Sequence, residues 1–167
     1  MASLIHTAQR ALGTAEQLIV AIPHSIALFA LRAALAIPFW RSGMTKWEGF
    51  LNLSSGARYL FEQEFKLHVF GQAFSYPFPL TMAFLAGLGE VILPVLLVLG
   101  LFTRFAALGI LAMTIIIQLT IPDGLINFHL PWAAMALGLM AFGGGKLSLD
   151  AVMAAFGGRR RGGAVAS

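Results

Sequence analysis

LTMAFLAGLGEVILPVLLVLGL, residues 80–101, is an apolar run with one formal charge, Glu90, near its middle. About twenty such residues in a helix rise far enough to cross the hydrocarbon core of a bilayer. A charge at that depth costs roughly 2.5 to 3.5 kcal/mol on insertion scales, so Glu90 needs a partner and marks either a functional or an architectural position.

Working outward, Thr103 and its neighbours separate this run from a second one over Arg104–Ile121, and so short a break predicts a tight antiparallel hairpin. Further spans are expected at Ser25–Met44 and Leu125–Phe142, the last one crowded at its start by Asn127, His129 and Pro131. The first carries its own buried charge, Arg32. Residues 1–23 place Leu4, Ile5, Ala8, Leu12, Ala15, Leu18, Ile19 and Ile22 near helical spacing and end at Pro23, a pattern for an amphipathic helix at the headgroups. Polar Thr14, Glu16 and Gln17 interrupt it, so no cleaved leader is expected.

The predicted fold is therefore an all-α membrane protein. An N-terminal interfacial helix over 1–23 leads into a four-helix transmembrane bundle over 24–145, and a short tail over 146–167 follows. Arg10, Arg104, Lys146 and Arg159–Arg161 outnumber Lys46, Arg58 and Lys66 across the spans, which predicts both termini in the cytoplasm of a bacterial inner membrane. The connection from Thr45 to Pro79 then lies outside. Its segment GARYLFEQEFKLHVF, residues 56–70, suits an amphipathic interfacial helix, and FGQAFSYPFPL, residues 70–80, suits a cap over the bundle.

Composition agrees with this placement: 59% of the 167 residues are hydrophobic and only 11% are charged. Cysteine is absent, which removes disulfides, thiolate metal sites and covalent haem attachment. The net charge of +4 is scattered apart from the tail arginines, so nucleic acid is not an expected partner. The bilayer is, together with a protein partner or further copies of the chain.

Arg32 followed by Gly43 and Lys46, Glu90 in the second span, GLFTRFAALGI at 100–110 and GGGKLSLDA at 143–151 resemble, in order and placement, the DoxX family of small four-helix membrane proteins. The resemblance covers Ala30 to Ala151. It implies an association with membrane-bound oxidoreductases, the family being named for a subunit of a thiosulfate:quinone oxidoreductase, and it marks Arg32, Gly43, Lys46, Glu90, Arg104 and Asp150 as matching positions. It transfers no catalytic residue.

The polar residues set the chemical expectations. Arg32, about 10 Å deep, and Glu90, about 16 Å deep, are close enough in level for a long side chain to join them. Such a pair either fixes helix register or provides acid–base chemistry, with Glu90 and Arg32 as the candidate catalytic groups. Arg41 lies about 180° around the helix from Arg32 and is expected near Lys46 and Trp47 at the outer interface. Arg41, Lys46, His68, Gln118 and His129 are the candidate contacts for a quinone or similar ligand, with Phe39, Trp40, Phe84 and Trp132 available to line it. No HxxxH, HxH or ExxH spacing occurs, so no metal site is assigned. His24 and His129 fall at opposite ends of the bundle, which disfavours haem. Ser148 and Asp150 suit the start of a cytoplasmic helix over Leu149–Phe156, with Arg104 as a candidate partner for Asp150. The expected function is that of an integral subunit or accessory of a quinone-linked oxidoreductase that anchors its partner. The alternative is a non-catalytic scaffold or a small-ion or metabolite transport accessory.

Overall fold

The computed structural model describes residue 17 and residues 21–162, with side chains through residue 156. The interfacial helix expected over 1–23 lies outside the described residues apart from Gln17 and Ala21–Pro23.

Four helical segments are long and apolar enough to cross a membrane. They are α1 (His24–Met44), α3 (Pro79–Leu99), α4 (Thr103–Thr120) and a fourth span over Pro122–Phe142. The protein is an all-α, four-span membrane protein. Neighbouring spans are antiparallel: α1 packs along α3, α3 against α4, and α4 along the fourth span, which also touches α1.

The fourth span is not one regular helix. A 3₁₀ turn (Pro122–Gly124) and a π turn (Leu125–His129) precede α5 (Leu130–Phe142). Pro131 has no N–H to give the Asn127 carbonyl four residues back, and the Leu130 amide donates five residues back, to Leu125. This irregular start carries His129 into the bundle, where it is 4% exposed.

The interior is packed by Leu28, Leu35, Phe39, Leu97, Ile110 and Leu139 with small Ala36, Ala106, Ala107 and Ala136 between them. Large apolar residues such as Ile37, Leu85, Ile92, Phe105 and Ile115 stay exposed on the outer faces. That distribution suits a lipid solvent, where helices associate through close packing of small residues while bulky side chains face hydrocarbon.

Between α1 and α3 the chain forms a cap. Strands β1 (Trp47–Gly49) and β2 (Asn52–Leu53) make one hairpin, α2 (Ser55–Tyr59) runs into a π turn over Leu60–Glu64, and β3 (Lys66–Val69) pairs with β4 (Gln72–Ser75). The amphipathic helix expected over 56–70 is thus present only to Glu64. Beyond it, Val69 pairs with Gln72 around a two-residue turn, Phe70 and Gly71, both at positive φ (50° and 77°). This is the type I′ turn that matches strand twist, so the turn chemistry overrides the helical spacing of Phe61, Phe65 and Val69. We call this end of the bundle the hairpin end. The opposite end, where α3 turns into α4 and α6 (Leu149–Gly162) begins, is the turn end.

Candidate functional site

In a helix each Cα–Cβ bond tilts toward the helix N-terminus. Because α1 and α3 are antiparallel, Arg32 and Glu90 lean away from one another, and the expected pair between them does not form. Arg32 runs toward the turn end. Its Nη1 donates to the carbonyls of Leu97 and Val98, each at 3.1 Å, and its Nη2 to the carbonyl of Leu147. The guanidinium carbon also stands 5.3 Å from the Phe29 ring centroid, and the Nε is buried without a partner among the described residues. Arg32 therefore caps the C-terminus of α3, where unpaired carbonyls and the helix dipole both favour a cation.

Asp150 serves the other half of the same turn. Its two carboxylate oxygens accept from the Phe102 amide (2.8 Å) and the Thr103 amide (2.9 Å) at the start of α4, and its own amide donates to Gly100 (2.9 Å). Burial pushes its carboxyl up, but the donated hydrogen bonds and the nearby Arg32 charge outweigh that and hold it below the ordinary carboxylate range. Arg104, its expected partner, donates instead to the Ala141 carbonyl at 3.3 Å. Gly100 closes the clasp with φ of +67°, and a Cβ there would collide with Arg32 Nη1 and Ser148.

Glu90 leans toward the hairpin end and meets Lys46. Lys46 Nζ lies 2.6 Å from Glu90 Oε2 and 3.2 Å from Ser42 Oγ. Gly43 makes this possible, because a Cβ at that position would stand 2.9 Å from the carbonyl carbon, carbonyl oxygen and Cβ of Glu90. Gly87 likewise gives room to the Trp47 ring, which stacks edge-on to Phe84 with centroids 5.4 Å apart.

The ion pair forms part of the wall of a cavity of about 750 Å³ at the hairpin end. Pro38, Phe39 and Ser42 of α1, Met82 and Glu90 of α3, Met113, Ile117 and Thr120 of α4, and Phe128, His129 and Trp132 of the fourth span surround it. Phe61, Phe65 and Tyr76 close it from the cap. Aromatic contacts brace the wall: Phe39 to Trp132 at 5.0 Å, His129 to Trp132 at 5.4 Å and Phe61 to Phe65 at 5.2 Å between centroids. Tyr76 and Thr120 share a 2.5 Å hydroxyl hydrogen bond. His129 Nδ1 lies 2.6 Å from Gln118 Oε1, while Gln118 Nε2 donates to the Pro122 carbonyl at 3.0 Å. With the amide oriented in this way, Nδ1 carries the proton and Nε2 of the neutral ring is left as an acceptor. The volume lies within the range of small-molecule sites, and the wall is apolar with a few converging polar groups.

A model of the DoxX family matches residues 27–123, more than half of the chain. The chain belongs to the DoxX family. No match was found among curated proteins or among solved structures. In this DoxX protein the matched span contains Arg32, Gly43, Lys46 and Glu90, and ends before His129 and Asp150.

The sequence-expected site residues separate into distinct places. Glu90, Lys46 and His129 line the cavity, and Gln118 stands behind His129 and orients it. Arg32 is at the turn end, away from the cavity lining. Arg41 is exposed on the opposite side of α1, in a smaller groove with Trp40. His68 is on β3 with Nδ1 3.2 Å from the Leu119 carbonyl, outside the cavity wall. Ser42, Tyr76 and Thr120 were not foreseen. Ser42 was legible, since it precedes Lys46 by four residues on one helix face. Tyr76 and Thr120 depend on how the cap folds back, for which the sequence carries no spacing signal.

Proposed function

We propose that this DoxX protein is an integral subunit of a redox-associated complex in a bacterial cytoplasmic membrane, that it anchors a partner oxidoreductase, and that its cavity takes a quinone or a similar lipophilic carrier. The observation that carries the reading is the combination of a 750 Å³ aromatic-walled cavity with a Lys46–Glu90 ion pair and a histidine of defined tautomer in its wall. A quinone supplies two-electron, two-proton chemistry, the electrons coming from the partner oxidoreductase.

The residues present fit such a ligand. Lys46 can donate to a carbonyl oxygen, and the contact with Glu90 holds its Nζ in place at the wall. His129 Nε2 can accept from a hydroxyl, because Gln118 holds the ring proton on Nδ1. Phe39 and Trp132 offer faces against which a flat ring packs, and the apolar wall excludes the water that would compete for these groups. Arg32, Arg41 and His68 have no contact with ligand in this reading. Both termini are assigned to the cytoplasm, with Arg104, Lys146 and the tail arginines on that side.

The test is purification in mild detergent followed by organic extraction and an absorption spectrum of the extract before and after borohydride reduction. About one quinone per protomer is expected, and Lys46→Met/Glu90→Met, which leaves no unpaired charge, should lose most of it. No quinone in the wild type, or equal quinone in the double variant, would contradict the reading.

A further inference from the structure

The seam between α3 and α4 changes character along its length. Toward the turn end it is tight: a Cβ on Gly109 would stand 2.9 Å from Leu93 Cδ1, and a Cβ on Gly89 would stand 2.9 Å from Met113 Sδ. These two contacts lie one helical turn apart in antiparallel register, so a further turn toward the hairpin end sets Leu85 level with Ile117 and Ala86 level with Ile116. There the seam is open. All four side chains line the cavity, and Leu85 and Ile116 are also 55% and 49% exposed on the outer surface of the bundle.

The cavity therefore reaches the lipid-facing surface between Leu85 and Ile116. Leu85 is six residues into the 21-residue α3, roughly 9 Å along it, so this mouth faces hydrocarbon and not headgroups. The cap closes its hairpin side: Thr120 donates to the Ile116 carbonyl at 2.8 Å, which leaves the Tyr76 hydroxyl as the donor in the Tyr76–Thr120 bond. Met82, Leu85, Ala86, Met113, Ile116 and Ile117 make the rest of the mouth apolar. Ser42 and Phe128 are exposed lining residues as well, but Ser42 brings a hydroxyl with the Lys46 ammonium 3.2 Å from it.

The charged and imidazole groups of the wall stand away from this mouth. Lys46 and Glu90 meet where α1 crosses α3, and His129 is on the fourth span. A ring that reaches them with its oxygens turns its remaining substituent toward the α3–α4 seam. We propose that the ligand of the cavity carries an apolar tail that leaves between Leu85 and Ile116 into the bilayer, and that its head enters and departs sideways by the same route. The tail then stays in hydrocarbon throughout, and no polar group of the mouth has to be desolvated to pass it. The inference rests on the quinone reading above and narrows it to a membrane-resident quinone with an alkyl or prenyl tail.

The chain has no cysteine, so single cysteines can be introduced and modified cleanly. Leu85→Cys and Ile116→Cys are each treated with benzyl methanethiosulfonate, which plugs the mouth with a ring that a reductant can remove. Ile115→Cys, exposed and outside the cavity lining, is the control. Two tritiated benzoquinones, both fully substituted and so inert to thiols, are compared by equilibrium binding in detergent against protein-free micelles. One carries a decyl tail and the other a methyl group in its place. Modification at either mouth position is expected to weaken the decyl quinone at least about tenfold, as overfilling a packed site does. Binding should return once dithiothreitol has cleaved the adduct and been removed. The methyl quinone, and both quinones in the Ile115→Cys control, should change by less than about twofold. Equal effects on both quinones at the mouth positions, or none on the decyl quinone, would overturn the lateral exit while leaving the cavity site standing. Binding of neither quinone to the unmodified wild type would overturn the cavity reading, and the tail proposal with it.

Discussion

Lys46 Nζ sits 2.6 Å from Glu90 Oε2, with the two side chains only 12% and 6% exposed, so the DoxX bundle keeps one neutral pair of charges where its cavity meets α1 and α3. Removing one partner strands the other in an apolar wall, whereas removing both leaves a wall that packs. Glu90→Gln and Lys46→Met are each expected to cost about 3 kcal/mol or more. The double variant Lys46→Met/Glu90→Met should recover most of that loss, read as melting temperature in detergent. Additive single losses would show that the pair contributes no coupling.

Gly43 sets how closely α1 approaches α3. Its Cβ position meets the backbone of Glu90 at 2.9 Å, and backbone cannot rotate aside. Gly43→Ala should therefore part the helices and destabilise by about 1 to 3 kcal/mol. Gly138, beside which nothing lies within 4 Å, is the control. Gly138→Ala should leave the melting temperature unchanged or raise it slightly, since alanine is the better helix former.

Arg32 bridges the last turn of α3 and the segment just before α6 to hold three carbonyls, and a lysine cannot reproduce that fork. Arg32→Lys is expected to cost about 2 kcal/mol, and Arg32→Met more, because the α3 carbonyls lose a charged donor. Gly100→Ala should act through the same clasp, by displacing Arg32 and straining a residue at φ +67°. All three should lower the melting temperature without altering the chemistry of any ligand that retains its place in the cavity.

Asp150 makes the turn end sensitive to acid. Its carboxyl is held low, despite burial, by the Thr103 and Phe102 amides and by Arg32, so its folded value lies below its unfolded one. The stabilisation is then fully present above the ordinary carboxylate range and is lost as pH falls through the depressed value. Glu48 has the same sign, held low first by the Ser55 amide and then by the Ser55 hydroxyl. Melting temperature should be flat from pH 7 to about 5 and fall below that. Asp150→Asn should cost about 1 kcal/mol at neutral pH, by weakening the α4 cap, and should fall less steeply in acid.

The spans were legible in the sequence because apolar length is enough to find them. Their ends required more. The second was expected to reach Leu101 but stops at Leu99, where Gly100 turns at positive φ, and the fourth begins irregularly because Pro131 removes a donor. Glu90 and Arg32 were visible as anomalous charges, yet their pairing was read from depth alone. Direction along the helix decides it, since antiparallel helices send the two side chains to opposite ends. Lys46 was the nearest cation in the direction that Glu90 leans, and its place at the end of α1 carried that information. The cap was harder to read. Its strands at Lys66–Val69 and Gln72–Ser75 rest on a Phe70–Gly71 turn whose first residue is not a usual turn former, and they deliver Tyr76 to the cavity by chain path rather than by any local pattern.

The cavity beside Lys46, Glu90 and His129 is the proposed site of a quinone-like ring. A photoactivatable short-tail quinone, irradiated on the purified protein in nanodiscs and mapped by peptide mass spectrometry, tests it most directly. Saturable labelling is expected at cavity-wall residues such as Phe39, Met82, Met113 and Trp132, displaced by excess unlabelled quinone and lost in Lys46→Met/Glu90→Met. Labelling that is not displaced, or that falls on lipid-facing residues such as Ile37, Ile92 and Ile115, would contradict it.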